Sequence, residues 1–231
     1  MTGFIAPESA LSAFIPENSH FIWPSSRGGR SITYATYFGG SRFDQANEIV
    51  MDSNGNSYIT GVTTSFDMPI QNGFQTVCMT CDIGNFDAFV ASLNSTGSSL
   101  RYSTHLGGSQ QEDAQGIALD TAGSIWISGG TISADFPTTP NGLQPADPSA
   151  GAVADGFFTG IETTAVGEAS RLYSSYFGGS GGDASDFVSG LLLTHRATWS
   201  SQVIGVPCRF QRGGSGLIRL QTAPGTPLLP N

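Results

Sequence analysis

The chain has 231 residues, of which only 12% are charged and 31 are glycine, and its formal net charge is −9 with no lysine present. Because an acidic surface repels phosphate backbones, we do not expect nucleic acid as a partner. No window approaches the roughly 18 consecutive apolar residues that a membrane-spanning helix requires, so we expect no membrane span.

The N-terminal segment, residues 1–31, does not share a pattern with the rest of the chain. It begins MTGFIAPESALSAFIPENSHFIWP, which has no basic residue at its start and is interrupted by proline and glutamate. A secretory signal peptide has a basic start followed by an uninterrupted apolar stretch. We therefore expect no signal peptide in this chain.

An eight-residue motif that ends in Gly-Gly-Ser occurs three times. It reads YATYFGGS at residues 34–41, YSTHLGGS at 102–109 and YSSYFGGS at 173–180, with spacings of 68 and 71 residues. Near-constant spacing indicates a repeated structural unit. Glycine permits a sharp backbone path where two units crowd together. We therefore assign a structural role to the six glycines of the motif: Gly39, Gly40, Gly107, Gly108, Gly178 and Gly179.

The residues between successive motifs predict four β-strands per repeat. The β-type runs are 48–52, 58–61, 87–93 and 100–106 in the first repeat, and 116–120, 125–129 and 155–161 in the second. A glycine-containing turn separates the first two runs of each repeat, and Asn-Gly in the first repeat is a strong hairpin signal. Four antiparallel strands in a unit of this length are typical of a propeller blade.

The predicted fold is all-β and consists of four-stranded antiparallel β-propeller blades at residues 32–193. The chain holds a leading strand, about two complete blades and the start of a third. Because propellers close with about 4–8 blades, we expect an incomplete ring. Such a ring leaves an apolar face uncovered at each end, so we expect the isolated chain to be marginally stable, either self-associating through these faces or remaining partly disordered.

The order of residues along the repeat resembles that of the SBBP family, the bacterial β-propeller repeat. The pattern YSTxLGGS…GIAxDxxG…SxDFPTTP…DAFVAxLN is carried by residues 102–109, 116–123, 133–140 and 87–94. The resemblance covers about residues 32–190 and implies a propeller of the kind found in surface or secreted bacterial proteins. It implies no reaction and no catalytic residue.

Residues 194–231 depart from the repeat in composition. All 18 acidic residues lie at or before Asp186, whereas four of the nine arginines follow it. One explanation is a basic C-terminal extension. The other is a shifted reading frame, because codons for residues 198–203 and 208–213 can encode, in another frame, segments similar to parts of a blade. The masses of peptides from this tail distinguish the two explanations.

Cys78 and Cys81 form a CxxC pair in the long loop of the first complete blade. A zinc site needs about four ligands, but the sequence has no second CxxC, and His20, His105 and His195 are scattered. A thioredoxin-like redox pair precedes a helix N-terminus, which this loop does not offer. We therefore expect either a local disulfide or two free thiols.

Acidic residues recur at two places in each repeat. Residues 52–56, DSNGN, resemble half a calcium loop, but the corresponding DTAGS at 120–124 lacks the side-chain oxygens, so a plain hairpin turn is favoured. The second place follows the glycine corner and holds the metal-site candidates Asp44, Glu112, Asp113 and Asp183. Equivalent positions gather at one end of a propeller, where a ring of carboxylates can bind Ca²⁺. Solvated turn carboxylates are the favoured interpretation, and we expect no cofactor.

The sequence offers no recognisable catalytic set. No Ser/His/Asp group can be assembled, and His105 lies where the other two repeats have Tyr37 and Tyr176, which indicates packing. We expect a non-catalytic propeller module of a secreted or cell-surface bacterial protein, which binds an unknown protein or polysaccharide or acts as a structural scaffold. The alternative is a fragment of a propeller-scaffolded carbohydrate-active enzyme, since function depends on sites rather than on the fold.

Overall fold

The computed structural model describes residues 20–22, 34–81, 84–151, 153–179, 188–192 and 216–219. The metal-site candidate Asp183 lies outside these residues. So do positions 198–213, which carry the reading-frame hypothesis.

Short β-strands make up nearly all of the described secondary structure. The strands are β1 (His20–Ile22), β2 (Thr36–Phe38), β3 (Asp44–Met51), β4 (Ser57–Thr63), β5 (Asp87–Leu93), β6 (Leu100–Leu106), β7 (Glu112–Leu119), β8 (Ile125–Thr131), β9 (Asp155–Ile161), β10 (Arg171–Phe177), β11 (Val188–Leu192) and β12 (Gly216–Arg219). One turn of 3-10 helix, Gly167–Ser170, leads directly into β10.

The two complete blades are four-stranded antiparallel sheets. The strand order is β3-β4-β5-β6 in the first blade and β7-β8-β9-β10 in the second. Strands β5 and β9 have the bounds that the sequence predicted for the third strand of each blade. The predicted all-β fold of propeller blades is therefore confirmed, and the described strands form no closed ring.

The first strand of each blade begins four residues earlier than the sequence predicted. A β-bulge interrupts β3 between Ala46 and Glu48, and another interrupts β7 between Ala114 and Gly116. A bulge shifts the alternation of side chains between the two faces of a sheet. The predicted runs began just after the bulge because only that part of the strand has a continuous apolar pattern.

Successive blades pack in the same way. Strand β7 contacts β3, β4 and β5 of the first blade, and β11 contacts β7, β8 and β9 of the second. One apolar cluster joins the two blades, with Val90 and Tyr102 from the first and Ile127 and Phe157 from the second. Strand β11 therefore occupies the position of the first strand of a third blade.

Strands β1 and β2 pair with each other in the same way as the third and fourth strands of the first blade, so they correspond to the last two strands of a blade that precedes it. Phe21 lies opposite Tyr37 in this pair, as Phe89 lies opposite His105 between β5 and β6, at the same distance from the glycine corner. The sequence pattern placed residues 1–31 outside the repeats. The backbone pairing gives residues 20–22 within that segment the position of a third strand.

Strand β3 exposes two apolar side chains, although Ile59 and Ala91 beside them on the same face of the first blade are buried. On β3 the side chains of Ile49 and Met51 are 37% and 45% exposed, but Ile117, which corresponds to Ile49 on β7, is only 2% exposed. The exposed part of this face, on β3, is a surface of the kind through which we predicted self-association. Among the described residues no helix has the length and apolar character needed to cross a bilayer.

Strand β12 does not continue the blade pattern. It pairs with β11 in parallel, with Val188 opposite Gly216, whereas the first two strands of both complete blades are antiparallel. The tail that departs from the repeat in composition thus also departs from it in topology.

A glycine lies opposite each bulge, and we expect an alanine there to destabilise the fold. A Cβ atom on Gly129 would overlap the carbonyl oxygen of Asp113 and lie 2.9 Å from the Cα of Ala114, and Gly61 has the same relation to Gln45 and Ala46. Because backbone atoms cannot move aside as a side chain can, Gly129→Ala should lower the free energy of unfolding by about 2–3 kcal/mol, measured by urea titration.

The matched control is Gly123→Ala. A Cβ atom on Gly123 would meet no atom within 4 Å, although the φ angle there is +92°. That substitution should cost about 1 kcal/mol of backbone strain. Equal losses for the two variants would contradict the close packing described at the bulge.

Candidate functional site

The first glycine corner is held by two aspartates. Asp44, which is 2% exposed, accepts hydrogen bonds from the Gly40 amide (2.8 Å), the Thr63 hydroxyl (2.6 Å) and the Ser65 hydroxyl (3.0 Å). Asp67 accepts hydrogen bonds from the backbone amide and the hydroxyl of Ser41, the serine that ends the motif, at 2.8 and 3.0 Å. The corner is thereby tied both to the first strand and to the loop after the second strand.

The second glycine corner repeats this arrangement with a longer acid. Glu112, which is fully buried, accepts hydrogen bonds from the Gly108 amide (3.1 Å) and the Thr131 hydroxyl (2.7 Å). Asp135 accepts the amide and hydroxyl of Ser109 at 2.8 and 2.9 Å. Equivalent positions of the two repeats therefore make equivalent contacts.

The motif requires glycine because the acids approach the backbone closely. A Cβ atom on Gly39 would lie 2.6 Å from the Asp44 carboxylate, and one on Gly107 would lie 2.5 Å from the Glu112 carboxylate. A Cβ on Gly108 would lie 2.5 Å from the Cβ of Ser133. At the third corner the Gly178 amide and carbonyl both bond to the side-chain amide of Gln144.

The acidic metal-site candidates lie in two different environments. Asp44 and Glu112 are buried with their oxygens bonded to donors of the corner, so the interpretation of these two as solvated turn carboxylates is wrong. Asp113 points to a different place, where it accepts hydrogen bonds from Asn47 (3.1 Å) and Gln115 (2.8 Å). The three side chains therefore do not form one ring.

The aspartates before the hairpin turns bind the turn itself. Asp52 accepts the amides of Asn54 and Asn56 at 2.9 and 2.8 Å. Asp120 accepts the amides of Ala122 and Ser124 at 2.8 and 3.0 Å, and the Trp126 indole at 3.0 Å. Both aspartates act as hairpin-turn residues.

A cleft of about 450 Å³ opens between the two blades. Most of its lining comes from the first strands and the residues just before them. The lining residues are Phe43, Gln45, Asn47, Val62, Phe86, Gln111, Asp113 and Gln115. Phe43 and Phe86 meet edge to face, with ring centroids 5.6 Å apart. The cleft is thus mainly polar, with an aromatic pair among its walls.

Polar side chains on one wall of the cleft connect the blades. Asn47 on β3 donates to Asp113 and, at 2.7 Å, to the carbonyl oxygen of Ala114 at the bulge of β7. Glu48 accepts the amide of Ile117 on the other side of that bulge, at 2.7 Å. The side chains of one blade therefore bind backbone groups on either side of the bulge in the edge strand of the next.

A second polar group is buried within the first blade, away from the cleft lining. Cys78 and Cys81 are joined in a disulfide. Ligand-type atoms of Cys78, Asp87 and His105 lie within 4.8 Å of one another. Asp87 accepts hydrogen bonds from the Met79 amide (2.8 Å) and the Thr80 hydroxyl (2.6 Å), whereas neither ring nitrogen of His105 has a hydrogen-bond partner in the described residues.

Burial perturbs the ionisation of these acids and of the histidine. It raises the pKa of Glu112 to about 8, with the negative charge of Asp87 contributing in the same direction. Burial also raises the pKa of Asp87 and lowers that of His105 to about 4. In the second blade, burial and then the neighbouring Asp147 raise the pKa of Asp155 to about 6.

A known family matches one part of the chain. Residues 33–67 match the family model described as the SBBP β-propeller repeat. The chain carries a repeat of the SBBP family. No curated protein matches the chain. The matched segment contains β2, the first glycine corner and both aspartates that bind it, so the SBBP match falls on the residues that build the corner.

Two features distinguish the first blade from the second within this propeller architecture. Its long loop carries the Cys78–Cys81 disulfide, and its fourth strand carries His105 where the second blade has Tyr176. The third strand of each blade begins with an aspartate, Asp87 in the first and Asp155 in the second, which the sequence pattern identifies only as part of a strand. The signal for Asp87 was its recurrence as Asp155 in the second repeat.

The cleft was not predicted from the sequence. Its amide side chains Gln45 and Asn47 occupy the positions of Asp113 and Gln115 in the next repeat. Polar residues at alternate positions of two corresponding strands mark one face of a sheet. That pattern was the available signal, but it does not reveal that the two faces lie against each other.

We expect Glu112 to make the stability of the chain fall as the pH rises. Its pKa is about 8 in the folded chain against 4.5 for an ordinary glutamate. The folded state therefore binds the proton more tightly, and this contribution is lost as the pH rises from 4.5 to 8. Between pH 7 and 8.5, above the pKa of Asp155, the unfolding temperature should fall by several degrees.

The variant Glu112→Gln should remove most of the fall in unfolding temperature, because glutamine keeps a hydrogen-bonding oxygen and does not ionise. Thermal unfolding at a series of pH values measures the effect, with Glu168→Gln at an exposed position as the matched control. If the unfolding temperature of Glu112→Gln falls with pH as steeply as that of the unsubstituted chain, Glu112 does not titrate in this range.

Proposed function

We propose that this SBBP repeat module is non-catalytic and binds a neutral polysaccharide in the cleft between its blades. The observation that carries the proposal is the lining of that cleft, where four side-chain amides and one carboxylate lie beside the aromatic pair Phe43 and Phe86. We further propose that the module belongs to a secreted or cell-surface bacterial protein.

The chemistry of the lining suits sugar hydroxyls. A side-chain amide both donates and accepts hydrogen bonds, as a hydroxyl does. Asn47 already bonds through both its nitrogen and its oxygen within the wall, so the amides that match sugar hydroxyls are those of Gln45, Gln111 and Gln115. Aromatic rings offer an apolar surface with a specific geometry, which suits the C–H face of a sugar ring. The net charge of −9 disfavours an anionic ligand.

The cleft supports binding more than hydrolysis. Glycoside hydrolysis requires two carboxyl groups separated by about 5–10 Å across the scissile bond. Asp113 is the single carboxylate among the described residues that line the cleft, and it accepts hydrogen bonds from both Asn47 and Gln115. It therefore acts in the wall of the cleft as an acceptor that holds two amides in place.

The proposed location has support from the cysteines. Cys78 and Cys81 are paired in a disulfide, and disulfides persist mainly in secreted and cell-surface proteins.

We expect the chain to bind at least one member of a panel of soluble neutral glucans, xylans and mannans, measured by isothermal titration calorimetry. Phe43→Ala and Gln111→Ala should each weaken that binding about tenfold, which corresponds to about 1.4 kcal/mol. Phe66→Ala and Gln71→Ala, which remove a phenyl ring and an amide outside the cleft lining, should leave binding unchanged.

Product analysis of the same mixtures separates the proposal from its alternative. Binding without release of shorter saccharides supports the non-catalytic module. Turnover that is abolished by Asp113→Asn would instead establish a carbohydrate-active enzyme, and equal binding by Phe43→Ala and Phe66→Ala would rule out the cleft as the site.

A further inference from the structure

His105 is a buried histidine with no hydrogen-bond partner in the described residues. Its side chain is fully buried, and both Nδ1 and Nε2 lack a partner. A buried polar atom without a partner costs about 1–3 kcal/mol. Its ring nitrogen nevertheless lies within 4.8 Å of both the Cys78 Sγ and a carboxylate oxygen of Asp87.

Packing alone does not account for a histidine at this position. The corresponding Tyr176 of the second blade is also buried, but its hydroxyl donates to the Ser133 carbonyl oxygen at 2.7 Å and accepts the Phe136 amide at 2.9 Å. A tyrosine at this position therefore has hydrogen-bond partners for its hydroxyl within the blade. His105 fills the position without such partners among the described residues, and a nitrogen of its ring lies instead within 4.8 Å of the Cys78 sulfur and an Asp87 oxygen.

We propose that reduction of the Cys78–Cys81 disulfide creates a buried zinc site whose four ligands are Cys78, Cys81, Asp87 and His105. Two cysteines separated by two residues have a spacing typical of zinc ligands, and zinc accepts sulfur, imidazole nitrogen and carboxylate oxygen in a tetrahedral set. The disulfide bond places the Cys81 sulfur next to that of Cys78 but outside the 4.8 Å cluster that Cys78 forms with Asp87 and His105, so Cys81 completes the set by a side-chain rotation once the bond is broken. This site is independent of the cleft and of the function proposed for it.

The surroundings of Asp87 and His105 favour metal binding. The Met79 amide and the Thr80 hydroxyl donate to Asp87, and such outer contacts orient a ligating carboxylate. Because burial lowers the pKa of His105 to about 4, its imidazole is neutral at physiological pH, as a ligand must be. Arg42 donates to the Cys81 carbonyl oxygen at 2.7 Å, which anchors the loop to the first glycine corner.

The disulfide and the metal are alternative states of one loop. Breaking the S–S bond takes up two electrons and two protons and yields two thiols. A dithiol reductant supplies them and becomes a disulfide, or a water-soluble phosphine becomes its oxide with oxygen from water. Zn²⁺ then displaces the two thiol protons and undergoes no redox change. Either state cross-links residues 78 and 81, so the loop remains tethered.

Metal titration of the full chain tests the proposal. The chain is reduced with a phosphine, freed of excess reagent without air and titrated with Co²⁺, which reports tetrahedral thiolate ligation through its visible and charge-transfer absorption. We expect one equivalent of Co²⁺ to bind the reduced chain, to be displaced by Zn²⁺ and to fail to bind the oxidised chain. Absence of binding to the reduced chain would overturn the proposal.

Variants identify the ligands. His105→Tyr introduces the residue of the other two repeats, so it should fold, and it should weaken Co²⁺ binding by roughly tenfold or more. Cys208→Ser, which removes the third thiol of the chain, should leave binding unchanged. Unchanged affinity in His105→Tyr, or loss of binding in Cys208→Ser, would contradict the assignment. If circular dichroism shows that His105→Tyr does not fold, Asp87→Asn provides the same comparison.

Discussion

A buried carboxyl group at the start of each blade's first strand accepts hydrogen bonds from the glycine corner before it and from the end of the second strand beside it. In the first blade this acid is Asp44 and in the second it is Glu112. A buried carboxylate is costly unless donors surround it, and the Gly-Gly corner provides a backbone amide at close range. The acid, the glycines and the hydroxyl residues therefore depend on one another, which explains why they recur together.

The position of this interaction explains how one blade leads to the next. The corner joins the outermost strand of one blade to the first strand of the following blade, and the Glu112 amide also donates to the Phe86 carbonyl oxygen of the preceding blade at 2.9 Å. Once the first strands are placed in this way, Asn47 and Glu48 reach the bulge of the neighbouring strand. The cleft between the blades is thus a consequence of how the corners position the two first strands.

The architecture could be predicted from the sequence because its determinants are local and repeated. Glycine pairs, hairpin turns and alternating strands such as Asp87–Leu93 are short patterns that occur in order, and repetition confirmed each of them. The site could not be predicted in the same way. Cys78, Asp87 and His105 are separated along the chain and meet only when a loop, a third strand and a fourth strand are assembled. From the sequence alone the histidines therefore look scattered and the acids solvated, because the burial of a side chain depends on strands and loops that are distant along the chain.

The central claim is that the buried carboxylates hold the glycine corners, and amide hydrogen exchange measured residue by residue by NMR tests it most directly. The amides of Gly40 and Gly108 donate to Asp44 and Glu112 and are not part of any strand. We predict that they exchange as slowly as amides in the central strands β4 and β8, because a corner must open before they meet water. Exchange at the rate of the exposed turn residues Ser53 and Thr121 would contradict the account.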